Sequence, residues 1–157
     1  MRNQAHEQVL AAVFDELGAY GCHAVVTEHD PQAATRDPLP RIRASIQECQ
    51  AAIIIAFERM RMPLAIEFPG TEHANFIVER SVSAVWDHIE AAMAYQAGLP
   101  ILILQERGLF QYGMVNTQRS TIDFGLFSTS DAADGVAAVR RQVRAWCEHL
   151  TAHNSVS

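Results

Sequence analysis

The carboxylate of Glu90 has the sequence setting that best suits chemistry on a ligand. Asp87, Glu90 and Tyr95 are the polar positions of a stretch that is otherwise small and apolar at helical spacing, and an unbroken apolar run follows it. The pattern predicts an amphipathic helix that leads directly into a buried strand, with Glu90 near the helix start. Ligands of open α/β sheets bind at the ends of such elements. The alternative is that Glu90 only favours the helix N-terminus through the helix dipole.

Helices and strands alternate along the chain around this carboxylate. The predicted helices cover residues 4–18, 38–50, 85–97 and 131–151, and the predicted strands cover residues 23–27, 51–57, 100–105 and 121–127. Ser130 is the expected cap of the last helix. The run over 51–57 is continuously apolar, as in a parallel strand covered on both faces. This order predicts one α/β domain over residues 1–152, with an open parallel sheet between helices, and a disordered tail over 153–157.

The long connection over residues 58–83 contains prolines and no clear periodicity. Such segments often act as lids or binding loops in compact domains, so we expect this one to cover the ligand pocket. Arg59 and Arg61 lie where the 51–57 strand ends, which suits contact with a phosphate, although a solvated loop would look the same. Asp37 could reach a pocket from a strand-end loop, or it could cap the helix that follows it.

Composition and charge exclude several classes of function. The net charge is −6 and all 12 basic residues are arginine, so nucleic-acid binding, which depends on phosphate contacts, is not expected. No apolar run approaches the roughly 18–20 residues of a membrane span, so we expect a cytoplasmic protein. Scattered histidines and three distant cysteines predict neither a metal site nor a disulfide. Cys22, Cys49 and Cys147 are expected to be small buried hydrophobes.

A resemblance to a known family rests on the helix that carries Glu90. The motif Ser83-x-x-Trp86-x-x-x-Glu90, with the apolar runs Cys49–Phe57 before it and Leu99–Leu104 after it, resembles the second half of a TIR-type domain. The Trp-to-Glu separation of four residues matches that family. The related nucleoside 2-deoxyribosyltransferases carry a Glu on the same helix. The resemblance implies a flavodoxin-like topology.

This resemblance covers roughly residues 5–105, and its specific motif lies within 83–104. Residues 26–29 are also similar to one branch of the transferase family. Asp87 stands where a TIR-type domain usually has Cys, and the chain opens on the 4–18 helix where both families begin with a strand. We therefore expect a sheet that lacks the usual first strand of these families.

The resemblance also implies chemistry on the ribose of an N-glycoside. Cleavage of a C–N glycosidic bond builds oxocarbenium character at C1′, which a nearby carboxylate can stabilise or trap as an ester. An N-glycosidase or NAD⁺ hydrolase of this kind would use NAD⁺ or a nucleotide as its substrate, without a separate cofactor. Glu90 would be the catalytic carboxylate, and the candidate ligand-binding residues are Trp86, which would pack against the ribose or base, Ser83, Asp87, Arg59 and Asp37. A non-catalytic module that binds a nucleotide-derived signal or a protein stays open as the alternative.

Self-association is expected from the same reading. A sheet without its first strand leaves an edge that is usually covered. The segment over 105–127 has little helical character and several large apolar residues, namely Phe110, Tyr112, Met114, Phe124 and Phe127. These predict an exposed patch and a homo-oligomer that forms through this segment or through the 85–97 helix. The alternative is that the same side chains complete the monomer core.

Overall fold

The computed structural model describes residues 3–27, 37–116 and 122–154. Its helices are α1 (Gln4–Ala19), α2 (Leu39–Glu48), α3 (Val85–Gln96) and α4 (Ala132–Asn154), and its strands are β1 (Ala52–Ala56), β2 (Met60–Glu67), β3 (Asn75–Val82), β4 (Ile101–Glu106) and β5 (Asp123–Phe127). The four predicted helices and three of the four predicted strands therefore form within a few residues of their expected bounds.

Three parallel strands form the central sheet, in the order β1-β4-β5. At its middle, Ile103 of β4 lies between Ile54 of β1 and Phe124 of β5. Every residue of β4 is buried, as expected for an apolar central strand with neighbours on both sides. The alternation of elements thus correctly predicted a mixed α/β fold built on a parallel sheet.

Helices cover both faces of this sheet because side chains alternate along β4. Leu102 and Leu104 belong to the core that α1 and α4 share. Ile101 and Ile103 belong to the core on the opposite face, which α3 covers. The helix that carries Glu90 therefore lies on one face of the sheet, and the first and last helices lie on the other.

A cluster of ion pairs ties α1 to α4. Glu16 is buried, and its carboxylate accepts hydrogen bonds from Arg140 at 3.3 Å and from Arg144 at 3.2 Å. The hydrogen bond from Arg144 is the main cause that lowers the pKa of Glu16. These two arginines are therefore engaged in holding the helices together.

Residues 23–27 do not form the predicted strand. The segment is irregular, and Val25 and Val26 are both more than half exposed. A strand needs a neighbour that takes up its backbone hydrogen bonds, and among the described residues β1 pairs with β4 alone. The β-branched residues of this segment suggested a strand, but composition alone does not provide a pairing partner.

The connection over residues 58–83 is a β-hairpin, so the prediction of an aperiodic lid is wrong. β2 and β3 pair in antiparallel fashion, with Leu64 opposite Val78, and the turn uses Gly70 at a positive φ of 78°. Pro63 obscured the alternation of apolar residues, because proline is unusual inside a sheet. It is tolerated here because each strand of a two-stranded hairpin is an edge strand.

The last helix begins and ends differently from its prediction. Asp131 caps α4, rather than Ser130, because its Oδ1 accepts two backbone N–H groups of the first turn at 3.0 and 3.1 Å. The helix continues to Asn154, so the first residues of the expected tail are helical. Residues 155–157 lie outside the described part of the chain.

The apolar side chains that predicted an exposed patch in the 105–127 segment are largely covered. Phe127 is fully buried, and the half-buried residues are Phe110, Tyr112, Met114 and Phe124. Phe127, Phe124 and Met114 pack in the monomer core, whereas Phe110 packs beside Tyr112, whose ring lies against His88. The exposed patch was therefore wrongly assigned to this segment.

The cysteines are free and differ in exposure. Cys147 is buried and Cys49 is half-buried, whereas Cys22, just beyond the end of α1, is exposed. The prediction of three buried thiols is therefore wrong for Cys22. None of the helices in the described ranges combines the length and the apolar content that crossing a membrane requires.

Candidate functional site

The carboxyl end of β1 and the start of α3 come together at one corner of the sheet. Arg59, just beyond β1, donates its backbone N–H to the carbonyl oxygen of Val82 at 2.9 Å, and α3 begins three residues after Val82. Open α/β sheets bind their ligands at the carboxyl ends of the strands. This corner is therefore the expected position of a site.

Asp87 is held at this corner by hydrogen bonds at the start of α3. Its Oδ2 accepts the backbone N–H of Ala84 at 3.1 Å, and the buried Ser83 side chain also donates to it. Burial, followed by the nearby charge of Glu90, raises the pKa of Asp87 to about 7. The two hydrogen bonds and the charge of Arg59 act in the opposite direction and are outweighed. Asp87 is therefore about half protonated at neutral pH, which suits a proton donor.

Glu90 lies almost one turn further along α3 and lines a small cavity. Its Oε1 accepts a hydrogen bond of 2.6 Å from Oγ1 of Thr27. The cavity measures about 90 Å³ and lies between the 23–27 segment, α2, β1 and α3. Sites for small organic molecules measure roughly 300–1,000 Å³, so this space suits a few water molecules and not a nucleotide. The Thr27–Glu90 hydrogen bond joins two walls of this cavity.

Four of the six predicted site residues meet at this corner. Ser83 and Asp87 share a hydrogen bond, Glu90 follows them on α3, and the charge of Arg59 acts on Asp87. Trp86 is half-buried on α3, one turn before Glu90. The walls of the cavity include Glu90 and none of the other five predicted site residues. Asp87 and Glu90 are neighbours because three residues on a helix nearly complete a turn.

Asp37 lies elsewhere. Its Oδ1 accepts the backbone N–H of Leu39 at 3.1 Å, so its side chain caps α2, which was the alternative role considered for it. It borders a surface groove of about 620 Å³ between α2 and α3, together with Arg43 and Met93. The fold therefore does not bring Asp37 to the cavity of Glu90.

His88 is a half-buried polar residue of this corner that the sequence did not single out. Its Nε2 lies 3.4 Å from Oγ of Ser83, and its ring packs on Tyr112 with 4.5 Å between centroids. Burial lowers the pKa of His88, so the ring is neutral at pH 7. A Cβ atom at Gly113 would lie 2.9 Å from Nδ1 of His88, so glycine is what lets the loop approach the ring. The only signal in the sequence was the spacing of His88 from Ser83.

A second acidic residue, Glu106, makes hydrogen bonds at the carboxyl ends of the parallel strands. The buried Glu106, the last residue of β4, accepts the backbone N–H of Glu58 at 2.7 Å and the hydroxyl of Thr129, and its Oε2 lies 3.5 Å from Nε2 of His6. These contacts satisfy both carboxylate oxygens, so the network fixes strand ends and α1 relative to one another. Its sequence signal was a glutamate at the end of an unbroken apolar strand.

In the described part of the chain, no group of three or more His, Cys, Asp or Glu side chains could hold a metal ion. Comparison of the chain with family models, with curated proteins and with solved structures finds no match. Fold and site together define a mixed α/β protein with an acidic pair on the helix that follows its hairpin.

Proposed function

We propose that this chain cleaves or transfers the ribosyl group of an N-glycoside, NAD⁺ or a nucleotide, at the corner between β1 and α3. The acidic pair on α3 carries the proposal. Glu90 faces the cavity, and Asp87, three residues earlier, has a pKa of about 7. Glycoside cleavage needs one carboxylate that stabilises a cation and one carboxylic acid that donates a proton, and different environments separate such roles.

The two carboxyl groups act at opposite ends of the breaking bond. Asp87 donates its proton to the departing base, and the electron pair of the bond to C1′ stays on the base nitrogen. Glu90 stabilises the oxocarbenium ion at C1′ or forms an ester with it. Water, or an acceptor base in a transfer reaction, then attacks C1′ and returns a proton to Asp87. Because the donor must be protonated, turnover falls as the pH rises through about 7.

The proton donor also favours one class of substrate. A purine or pyrimidine leaves a nucleotide as an anion unless it is protonated, whereas the nicotinamide of NAD⁺ leaves as a neutral molecule. A carboxylic acid with the raised pKa of Asp87 therefore assists the departure of a purine or pyrimidine more than that of nicotinamide. Within the proposal, nucleotides are the favoured substrates and NAD⁺ is the second choice.

The proposal includes a flavodoxin-like arrangement of the kind found in TIR-type domains and deoxyribosyltransferases. In the flavodoxin-like strand order 2-1-3-4-5, the strands β1, β4 and β5 would take the last three places. The cavity would then lie beside β1, on the side where strand 1 stands in that order. Movement of the 23–27 segment away from β1 would break the Thr27–Glu90 hydrogen bond and enlarge the cavity for a ligand.

Release of free base from nucleotides tests the role of Glu90. Wild-type protein, Glu90→Gln and the matched control Glu48→Gln, which changes an exposed carboxylate at the end of α2, are incubated with NAD⁺ and with purine and pyrimidine nucleotides. Chromatography should show base release by wild type and control, and release slower by about 10²–10³-fold in Glu90→Gln. Equal rates in all three proteins would remove Glu90 from the reaction.

A second candidate is a non-catalytic module that binds a nucleotide-derived signal, and the small size of the cavity favours it. In such a module the cavity would open when the ligand binds, but no water molecule would be positioned to attack C1′. It predicts no base release by the wild type. It also predicts a ligand-induced rise in melting temperature that Glu90→Gln loses and Glu48→Gln retains.

A further inference from the structure

The hairpin of β2 and β3 carries four exposed apolar side chains on one face. Leu64 lies opposite Val78, and Ile66 lies opposite Phe76, so all four project to the same side. They are 61, 61, 47 and 68% exposed. A solvated hairpin face would carry polar residues at these positions, so this face has the composition of an interface.

Among the described residues, the contacts that attach the hairpin to the rest of the protein lie at its base, and on the opposite face of the hairpin Ile77 is buried. The carbonyl oxygen of Ser81 accepts the backbone N–H of Phe110 at 2.7 Å, and the guanidinium of Arg80 lies 5.6 Å from the centre of the Phe110 ring. No described helix or other strand packs on β2 or β3 by more than an isolated contact. An isolated two-stranded hairpin is marginally stable in water, so its exposed apolar face gains from being covered.

The exposed area is close to what one partner contributes to a stable interface. The side chains that form it are Leu64, Ile66, Phe76 and Val78, with Met60 at the base and Phe68 in the turn. If each offers roughly 200 Å² when fully exposed, the face presents on the order of 700 Å². A standard protein–protein interface takes about 800 Å² from each partner.

Charges on the hairpin differ between its two ends. The base carries three arginines and two glutamates, namely Arg59, Arg61, Arg80, Glu58 and Glu79, whereas the tip carries Glu67 and Glu72. Arg61 is already paired with Glu58 at 2.9 Å, which leaves Arg80 as the cation nearest the apolar face. Two hairpins that stack face to face and antiparallel would place the basic base of each beside the acidic tip of the other.

We propose that this apolar hairpin face is the interface of a homodimer, in which a second copy of the chain stacks its own hairpin antiparallel across a two-fold axis. The axis passes near Leu64 and Val78, the middle of each hairpin. Such an isologous contact is self-complementary in shape and in charge, as closed dimers require. Arg80 of each protomer then lies toward the exposed Glu72 in the turn of its partner. This inference does not depend on the proposed function.

Substitution at the centre of the face tests the interface. Val78→Glu would place two carboxylates close together across the axis, whereas Val85→Glu changes another exposed valine, at the start of α3, where the helix dipole favours a carboxylate. Light scattering of the full chain at micromolar concentrations should give a dimer, twice 17.4 kDa, for wild type and Val85→Glu, and a monomer for Val78→Glu. Circular dichroism checks that each variant is folded.

If Val78→Glu does not fold, reversal of charges at the two ends of the hairpin provides a second test of the interface. Arg80→Glu and Glu72→Arg should each raise the dimer dissociation constant by about 3–10-fold, and the double variant should recover most of that loss, as coupled rim charges do. A wild-type chain that is monomeric at 100 µM would overturn the proposal. So would a dimer that Val85→Glu dissociates and the hairpin variants leave intact, since that result places the interface on α3.

Discussion

Replacing Asp87 by asparagine is expected to make the folded protein more stable than the wild type at pH 8, and nearly equal in stability at pH 4. The Asp87 carboxyl is buried beside Glu90, and its pKa is raised to about 7, against about 3.9 in an unfolded chain. The difference corresponds to roughly 4 kcal/mol. An asparagine side chain is neutral at every pH and can still accept the backbone N–H of Ala84.

The direction follows from the order of the two pKa values. Below pH 4 the Asp87 carboxyl is protonated in both states, and its burial carries no charge penalty. As the pH rises from 4 to 7 the unfolded chain ionises first, so the folded wild type loses stability until the folded carboxyl ionises as well. Between pH 5 and pH 8 the advantage of Asp87→Asn should therefore grow by roughly 3 kcal/mol.

Urea unfolding at several pH values measures this advantage directly. The matched control is Asp123→Asn, an exposed carboxylate at the start of β5, which should follow the wild type within about 0.5 kcal/mol. If the gain in stability from Asp87→Asn were the same at pH 5 and at pH 8, the pKa of Asp87 would not be raised in the folded protein. The variant should also release base slowly despite its stability, because the proton donor is gone.

Gly135→Ala is expected to destabilise the protein by roughly 3 kcal/mol, near the upper end of overpacking substitutions. A Cβ atom at Gly135, in the first turns of α4, would lie 1.9 Å from the carbonyl oxygen of Ser128. That oxygen belongs to the backbone just after β5, so relief requires α4 to move away from the sheet. The affected helix supplies much of the core that it shares with α1.

A second glycine provides the matched control. Gly18 lies in α1 with no atom within 4 Å of its missing Cβ position, so Gly18→Ala should stabilise the protein by about 0.5–1 kcal/mol. Thermal and urea unfolding of both variants would test the packing of α4 on β5. Two substitutions with the same small effect would contradict the close approach at Gly135.

The sequence predicted those features that depend only on residues within one helix or one strand. Apolar periodicity located all four helices, and the apolar run after the third of them predicted the buried strand β4. Asp87 and Glu90 were both assigned to that helix, where residues three apart are neighbours because they nearly complete a turn. Each of these features depends on residues that are close in the chain.

Features that depend on distant partners were not predictable in this way. Residues 23–27 have strand composition, but no strand within the described ranges pairs with them. Pro63 concealed a hairpin whose alternation is otherwise regular. The contact of Thr27 with Glu90 joins residues 63 positions apart, and no local sequence pattern predicts it. The approach of Gly113 to His88 depends on the path of a loop in the same way.

Cleavage of the bond between C1′ and a base nitrogen at the Asp87–Glu90 corner is the central step of the proposed function. Incubation of wild-type protein with a purine nucleotide in H₂¹⁸O, without an acceptor base, followed by mass spectrometry of the products, tests this most directly. We expect one ¹⁸O atom in the sugar product, none in the free base or phosphate, and no labelled sugar from Glu90→Gln. Label in phosphate, or no labelled sugar from the wild type, would contradict the account.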